Sequence, residues 1–299
     1  MYHEHFGLIR SPFEMTPDPA FLYLGDVHRE GLATLVYGVE SRKGFVLLTG
    51  EVGTGKTTLL HALLAQLDRK TLSAFIFNPR LEPLDFFRML FDEFGIEGQC
   101  STKAEYLLAL NRFLIDRLEK NLPTLLIVDE AQNLSTEMLE EVRLLSNLET
   151  SSSKLIQIML VGQPELWEKL CQPELRQLRQ RIVLRHQLTP FEEAETAEYV
   201  AERLRLAGYT GKGIFKKSAI RTLHKVTGGT PRVVNIVCDG SLLLGFARDL
   251  ETLGPDVVLE VARDLGLDGT EGGAGEASGT PGRRRGFFGL FRPRHLGGT

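Results

Sequence analysis

Apolar residues along this chain fall into two patterns: short unbroken runs rich in β-branched side chains, and longer stretches in which they recur every three or four positions. The runs Phe45–Thr49, Leu72–Phe77, Thr124–Val128, Lys154–Val161 and Ile182–Leu188 predict five strands. Between them lie helical stretches: about 28–41, Thr57–Leu64, and Pro83–Phe94 stopped by Gly95. The capping box Thr102-Lys103-Ala104-Glu105 opens another that runs to Glu119, and Ser135 can cap a helix over Thr136–Glu149. Strands alternating with helices predict an α/β fold with a mainly parallel five-stranded sheet covered on both faces. After Leu188 the strand pattern ceases, and helical periodicity at 190–206, 216–226, 231–247 and 255–265 predicts a small all-α domain. The expected division is an α/β domain over 1–188, a helical domain over 189–265, and a flexible linker and tail over 266–299. The α/β domain includes a Pro-rich opening (Pro12, Pro17, Pro19) that cannot be a regular helix.

Between the first strand and the next helix stands Gly50-Glu51-Val52-Gly53-Thr54-Gly55-Lys56-Thr57, the G-x-x-x-x-G-K-[ST] pattern of a phosphate-binding loop. Backbone N–H groups at a helix N-terminus converge there on an anion, favoured by unpaired donors and by the helix dipole. The residues from Gly50 to Thr58 are the expected nucleotide-binding segment, with Lys56 reaching the β- and γ-phosphates and Thr57 holding Mg²⁺ through its hydroxyl. The run Leu125-Leu126-Ile127-Val128 ends in Asp129-Glu130. Asp129 is expected to share Mg²⁺ with Thr57, and Glu130 to orient and polarise the water that attacks the γ-phosphate. The intervening strand Leu72–Phe77 supports the class in which an extra strand separates the loop strand from the acidic one and leaves room for a polar side chain facing the γ-phosphate. Gln163, in Gly162-Gln163-Pro164 after the fourth strand, is the candidate. Arg176, Arg179 and Arg181 precede the last strand. In a ring or filament one of them could neutralise transition-state charge in a neighbour's site, with Arg181 favoured and Arg179 the alternative. Arg232 sits in the first turn of a predicted helix, where a cation opposes the dipole, and is read as a contact to the γ-phosphate from a helical lid.

Composition narrows the partners. A net charge of −4 provides no strong field for nucleic acid, which is not expected as a partner. Cys100, Cys171 and Cys238 are widely spaced and form no C-x-x-C, which excludes a disulfide framework or a zinc site and fits a reducing cytosol. No apolar run approaches the roughly 20 residues of a spanning helix. The tail Arg283-Arg284-Arg285-Gly286-Phe287-Phe288-Gly289-Leu290-Phe291-Arg292-Pro293-Arg294 mixes cations with aromatics, a composition that can rest weakly on an anionic membrane surface. The expected localisation is cytoplasmic, with peripheral attachment to the inner membrane through that tail.

The combination of phosphate loop, Asp129-Glu130, Gln163, Arg181 and Gly229-Thr230-Pro231-Arg232 resembles an AAA+ ATPase, a P-loop NTPase with a helical lid. The N-terminal stretches Phe6-Gly7-Leu8, Ser11-Pro12-Phe13, Thr16-Pro17-Asp18-Pro19, Phe21-Leu22-Tyr23, His28 and Tyr37-Gly38 are similar to the general secretion pathway protein A family. So are Asp129-Glu130-Ala131-Gln132-Asn133-Leu134 and Val161-Gly162-Gln163-Pro164-Glu165-Leu166. The resemblance covers about residues 2–265 and implies an oligomeric ATPase that uses ATP and Mg²⁺. It further implies a role in assembling or regulating a bacterial secretion, pilus or exopolysaccharide-export system. The chain looks like the short form, without the transmembrane and peptidoglycan-binding regions of longer members. The alternative is an AAA+ DNA-transposition helper ATPase, which shares this core and binds DNA.

Overall fold

The five apolar runs become five parallel strands, β1 (Phe45–Gly50), β2 (Leu72–Ile76), β3 (Thr124–Val128), β4 (Gln157–Gly162) and β5 (Ile182–Leu188), lying side by side in the order β2-β3-β4-β1-β5. The structure, a computed structural model, describes residues 2–15, 21, 23–77, 82–98, 100–150 and 153–267. The chain divides into two compact units, residues 17–190 on the one hand and residues 1–16 with 191–299 on the other. The predicted tail contact at 283–294 lies outside the described residues.

In the sheet unit every residue of β1, β3 and β4 is buried, because helices cover both faces. The strand period of two sends alternate residues to opposite faces. Val46, Leu48, Ile127 and Met159 pack with α2 (Asp26–Glu40) and α3 (Lys56–Gln66) on one side. Phe45, Leu47, Val128 and Leu160 pack on the other with α4 (Pro83–Phe94), α5 (Lys103–Glu119), α6 (Thr136–Leu145), α7 (Pro164–Leu170) and α8 (Arg176–Arg181). At the edge, β5 alternates between half-buried and exposed residues. Helix α2 lies close on the sheet because it carries glycine where it crosses: a Cβ on Gly38 would stand 2.6 Å from Val46, and one on Gly31 would stand 2.8 Å from the His186 ring.

Local signals set the helix ends. Both halves of the Thr102/Glu105 capping box form, and Ser135 accepts the Met138 N–H at 3.1 Å. Gly95 ends α4 in a left-handed conformation, with the Ile96 N–H returning to the Phe91 carbonyl at 2.9 Å. Helix α6 stops at Leu145, short of the predicted Glu149, because Ser146 turns its hydroxyl back to the Arg143 carbonyl at 2.7 Å. Lys154 pairs with Glu149 in an isolated antiparallel bridge, so β4 begins only at Gln157.

The second unit contains α1 (Tyr2–Phe6), α9 (Glu193–Leu206), α10 (Lys217–Thr227), α11 (Pro231–Ala247) and α12 (Pro255–Asp264). The N-terminal segment, placed with the sheet domain on sequence order, groups instead with these helices. Its aromatic side chains find their cover there. Phe6 and Phe13 are buried, and Phe13 meets Phe215 edge to face at 6.4 Å. Tyr2 donates to Asp239 at 2.5 Å, the Ile9 N–H donates to the Ala207 carbonyl at 2.8 Å, and the buried Arg203 donates to the Pro12 carbonyl. Phe13→Ala is therefore expected to destabilise the helical unit by about 3–5 kcal/mol. Chemical denaturation measures the loss, and hydrogen exchange should show faster exchange in α9 and α10 but not in β1, β3 and β4.

Candidate nucleotide site

Lys56, Thr57, Asp129, Glu130 and Gln163 all stand just beyond the C-terminal ends of β1, β3 and β4, where a parallel sheet opens a crevice for ligands. The loop after β1 depends on its glycines. Gly53 (φ 82°) and Gly55 (φ 99°) are left-handed. Gly50 has no space for a side chain, since a Cβ would stand 2.8 Å from Thr54 Oγ1 and 3.0 Å from the Leu188 carbonyl oxygen. Lys56 opens α3 and is only 7% exposed, with Nζ donating to the carbonyls of Gly50 at 2.7 Å and Glu51 at 3.0 Å. Burial pushes its pKa down, while the negative charges of Glu130, Asp129, Glu51 and Glu165 oppose that shift.

Asp129 directly follows β3 and is 7% exposed. Burial raises its carboxyl pKa, and the neighbouring Glu130 charge adds to the rise. The Glu130 N–H, donating to Asp129 Oδ1 at 2.8 Å, and Lys56 act the other way. Glu130 holds a left-handed backbone (φ 51°, ψ 36°), which non-glycine residues seldom adopt and which is found at sites where surrounding structure over-determines it. Its Oε2 accepts from the side-chain amide of Gln132, and from Gln163 Nε2 at 3.4 Å. The Gln163 N–H donates to Gln132 Oε1 at 3.2 Å. The inserted strand β4 thus brings its terminal amide to the acid at the end of β3.

The residues present suit Mg²⁺. The exposed Thr57 in the first turn of α3 and the Asp129 carboxylate form an all-oxygen donor set, and Mg²⁺ keeps several waters while taking one or two protein ligands. With β4 between them, β1 and β3 are two strand spacings apart, roughly 10 Å.

Other candidates lie elsewhere. Ile182 pairs with Phe45 and Leu188 with Gly50, so Arg181, just before β5, stands at the opposite end of β1 from the phosphate loop, roughly 20 Å away at ~3.3 Å per residue. Its guanidinium donates to the Ser146 hydroxyl, and Arg179 donates to the Cys171 carbonyl at 3.2 Å. Arg232 belongs to the helical unit, exposed in the first turn of α11. Among the described residues no group of three or more His, Cys, Asp or Glu side chains could hold a metal ion, and no helix is long and apolar enough to cross a membrane.

Residues 39–170 match the AAA domain family. Over 249 residues, 83% of this chain, the sequence is 45% identical to General secretion pathway protein A of Aeromonas hydrophila. This chain is an AAA-domain protein related to general secretion pathway protein A. It spans 45% of that relative's length. Solved structures agree on the fold. The Aeropyrum pernix ORC2 protein aligns with a TM-score of 0.62 at 16% identity, covering 85% of this chain and 71% of that one. Drosophila ORC bound to DNA gives 0.66 at 17%, covering 87% and 66%, and the Thermotoga maritima RuvB branch migration motor gives 0.52 at 18%, covering 82% and 71%. At these identities the likeness concerns the fold alone.

Two residues at the candidate site, Gln132 and His28, do not announce themselves as chemistry in the sequence. Gln132 was visible within Asp129-Glu130-Ala131-Gln132, but nothing in the sequence shows that its side chain reaches both Glu130 and Gln163. His28 falls on the buried stripe of α2 with Gly31, Leu32, Leu35 and Val39, and a polar residue on such a stripe was the available signal. It is 4% exposed and donates from Nε2 to the Thr54 carbonyl at 2.8 Å, bracing the phosphate loop from beneath; a Cβ on Gly55 would stand 3.1 Å from that nitrogen. His28→Ala leaves a buried acceptor unmade and is expected to cost about 1–3 kcal/mol. Denaturant titration checks this; a loss within error would show that the loop holds its shape without the brace.

Proposed function

We propose that this chain binds and hydrolyses ATP with Mg²⁺ and, as an oligomer, uses that cycle to assemble or regulate a bacterial secretion, pilus or export system. The observation that carries the catalytic half is the convergence of the buried Lys56 ammonium, Asp129 and the doubly bonded Glu130 carboxylate at the ends of β1 and β3. In this reading Lys56 binds the β- and γ-phosphates, Thr57 and Asp129 hold Mg²⁺, and Glu130 takes a proton from the attacking water. Gln163 donates to the γ-phosphate. Mg²⁺ supplies charge neutralisation on the phosphate oxygens. Arg232 reports the γ-phosphate to the helical unit. The secretion half rests on the Aeromonas relative. The DNA-helper alternative has no observation of its own, because the likeness to ORC bound to DNA stands at 17% identity and reaches only the fold.

Arg181 at the far end of the sheet from its own phosphate loop favours service to a neighbour's site, which makes the proposed oligomer part of the active unit. Residues 283–294 supply the proposed weak contact with an anionic membrane surface.

Glu130→Gln should keep Mg²⁺-ATP affinity, measured by calorimetry, and lose turnover by about 10²–10⁴-fold; retained hydrolysis would remove Glu130 as the base. For Arg181, an inactive Arg181→Ala chain mixed with an inactive Lys56→Ala chain should recover part of the activity, because one supplies an intact pocket and the other an intact arginine. No recovery, with both variants folded and assembled, would place the action of Arg181 within its own chain and shift the trans role to Arg179.

A further inference from the structure

Gln132, in the turn Ala131–Asn133 behind β3, uses both ends of its side-chain amide. Nε2 donates to Glu130 Oε2, and Oε1 accepts the Gln163 N–H at 3.2 Å. Since Gln163 Nε2 also reaches the same Glu130 oxygen at 3.4 Å, three residues close a ring between the ends of β3 and β4, with the Gln163 backbone N–H as one of its links. The bridging amide has little freedom. A Cβ on Gly162 would come within 2.5 Å of Gln132 Oε1, and Lys169 Nζ holds the backbone of the turn through the Gln132 carbonyl at 3.3 Å and the Leu134 carbonyl.

A glutamate side chain has three rotatable bonds and several staggered conformers, so a general base left to itself would spread over positions more than an ångström apart. Misplacement by ~1 Å costs on the order of 100-fold in rate. We infer that Gln132 is a positioning residue that aims Glu130 at the attacking water and ties that aim to Gln163, so that a ligand on Gln163 is felt at the base. The inference rests on the ATPase reading above. Within the ring the two ends of the amide act differently: the donor holds the base, and the acceptor fixes the Gln163 backbone.

Two variants separate these arms. Gln132→Ala removes both. Gln132→Glu is nearly isosteric and keeps an acceptor for the Gln163 N–H, but sets a second carboxylate against Glu130. Both should lower kcat by about 10- to 100-fold while Mg²⁺-ATP affinity by calorimetry and KM stay unchanged, and neither should slow a Glu130→Gln chain further. Hydrogen exchange at the Gln163 amide should accelerate in Gln132→Ala but not in Gln132→Glu. An unchanged kcat in Gln132→Glu, or an equal loss in the Glu130→Gln background, would overturn the positioning role while the ATPase reading stood. Weakened nucleotide binding in step with the rate would mark a packing role and overturn it too. A folded wild-type chain that bound no Mg²⁺-ATP would remove both the inference and the reading beneath it.

Discussion

A lysine ammonium taken almost wholly out of water is the constraint around which the sheet unit is organised. Lys56 cannot stay charged there without compensation, and burial is the leading influence on its pKa. Two carbonyl oxygens accept its protons, and four acidic side chains supply opposing charge. The compensation is mutual, since Asp129 is itself pushed towards its neutral form by burial and held charged in part by Lys56. Paired buried charges of this kind contribute little net stability, because desolvation offsets most of their attraction. In the proposed function a ligand that carries both signs, a triphosphate with its magnesium, would answer both groups: phosphate oxygens the ammonium, and the cation Asp129. Perturbed pKa values clustered at strand ends point the same way.

Strand order turns this charged cluster into a site with directional chemistry. Had β3 paired directly with β1, its acids would stand one strand spacing from the phosphate loop. The insertion of β4 opens a second spacing and fills its end with Gln163. The left-handed turn at Glu130 matters for the same reason. It lets the Glu130 N–H fold back on Asp129 Oδ1, so that one acid is held by backbone and the other by the side-chain amides of Gln132 and Gln163. Two adjacent carboxylates thereby acquire different surroundings, the condition for different roles.

Elements were legible in the sequence wherever a local rule decided them. Apolar runs bounded by turn residues located the strands, since a strand buried on both faces is apolar at most positions, with buried polar residues such as Thr49, Thr124 and Gln157 confined to its ends. Thr102/Glu105, Ser135 and Gly95 marked helix ends because caps are satisfied within a few residues. The phosphate loop was legible because its glycines are demanded by backbone geometry and close approach. Legibility failed where the deciding contact was distant in the chain. The aromatic residues Phe6 and Phe13 advertise burial without saying against what, and Phe215, which meets Phe13, lies some 200 positions on, as does Arg203, which holds the Pro12 carbonyl beside it. His28 gave the same kind of incomplete signal, a polar atom on an apolar face whose acceptor belongs to a loop 26 residues later. Gln132 sits two residues from Glu130, yet the ring of hydrogen bonds it joins depends on Gln163, brought alongside only by the order of the strands.

The helical unit shows a comparable over-determination around Arg232, its residue proposed to act in nucleotide sensing. Gly228 (φ 56°) and Gly229 (φ 71°) are both left-handed ahead of α11, and a Cβ on Gly229 would fall 2.0 Å from the Phe191 carbonyl oxygen. The Phe191 N–H donates to the Gly229 carbonyl at 3.0 Å, and the Gly229 N–H is held by the Thr227 hydroxyl at 3.3 Å. The start of α11, and with it Arg232, is thus clamped to the first residue of the chain after the boundary at Pro190. An exposed cation in a first turn is disfavoured by the helix dipole, so this clamp holds Arg232 where its own helix gives it no stabilisation.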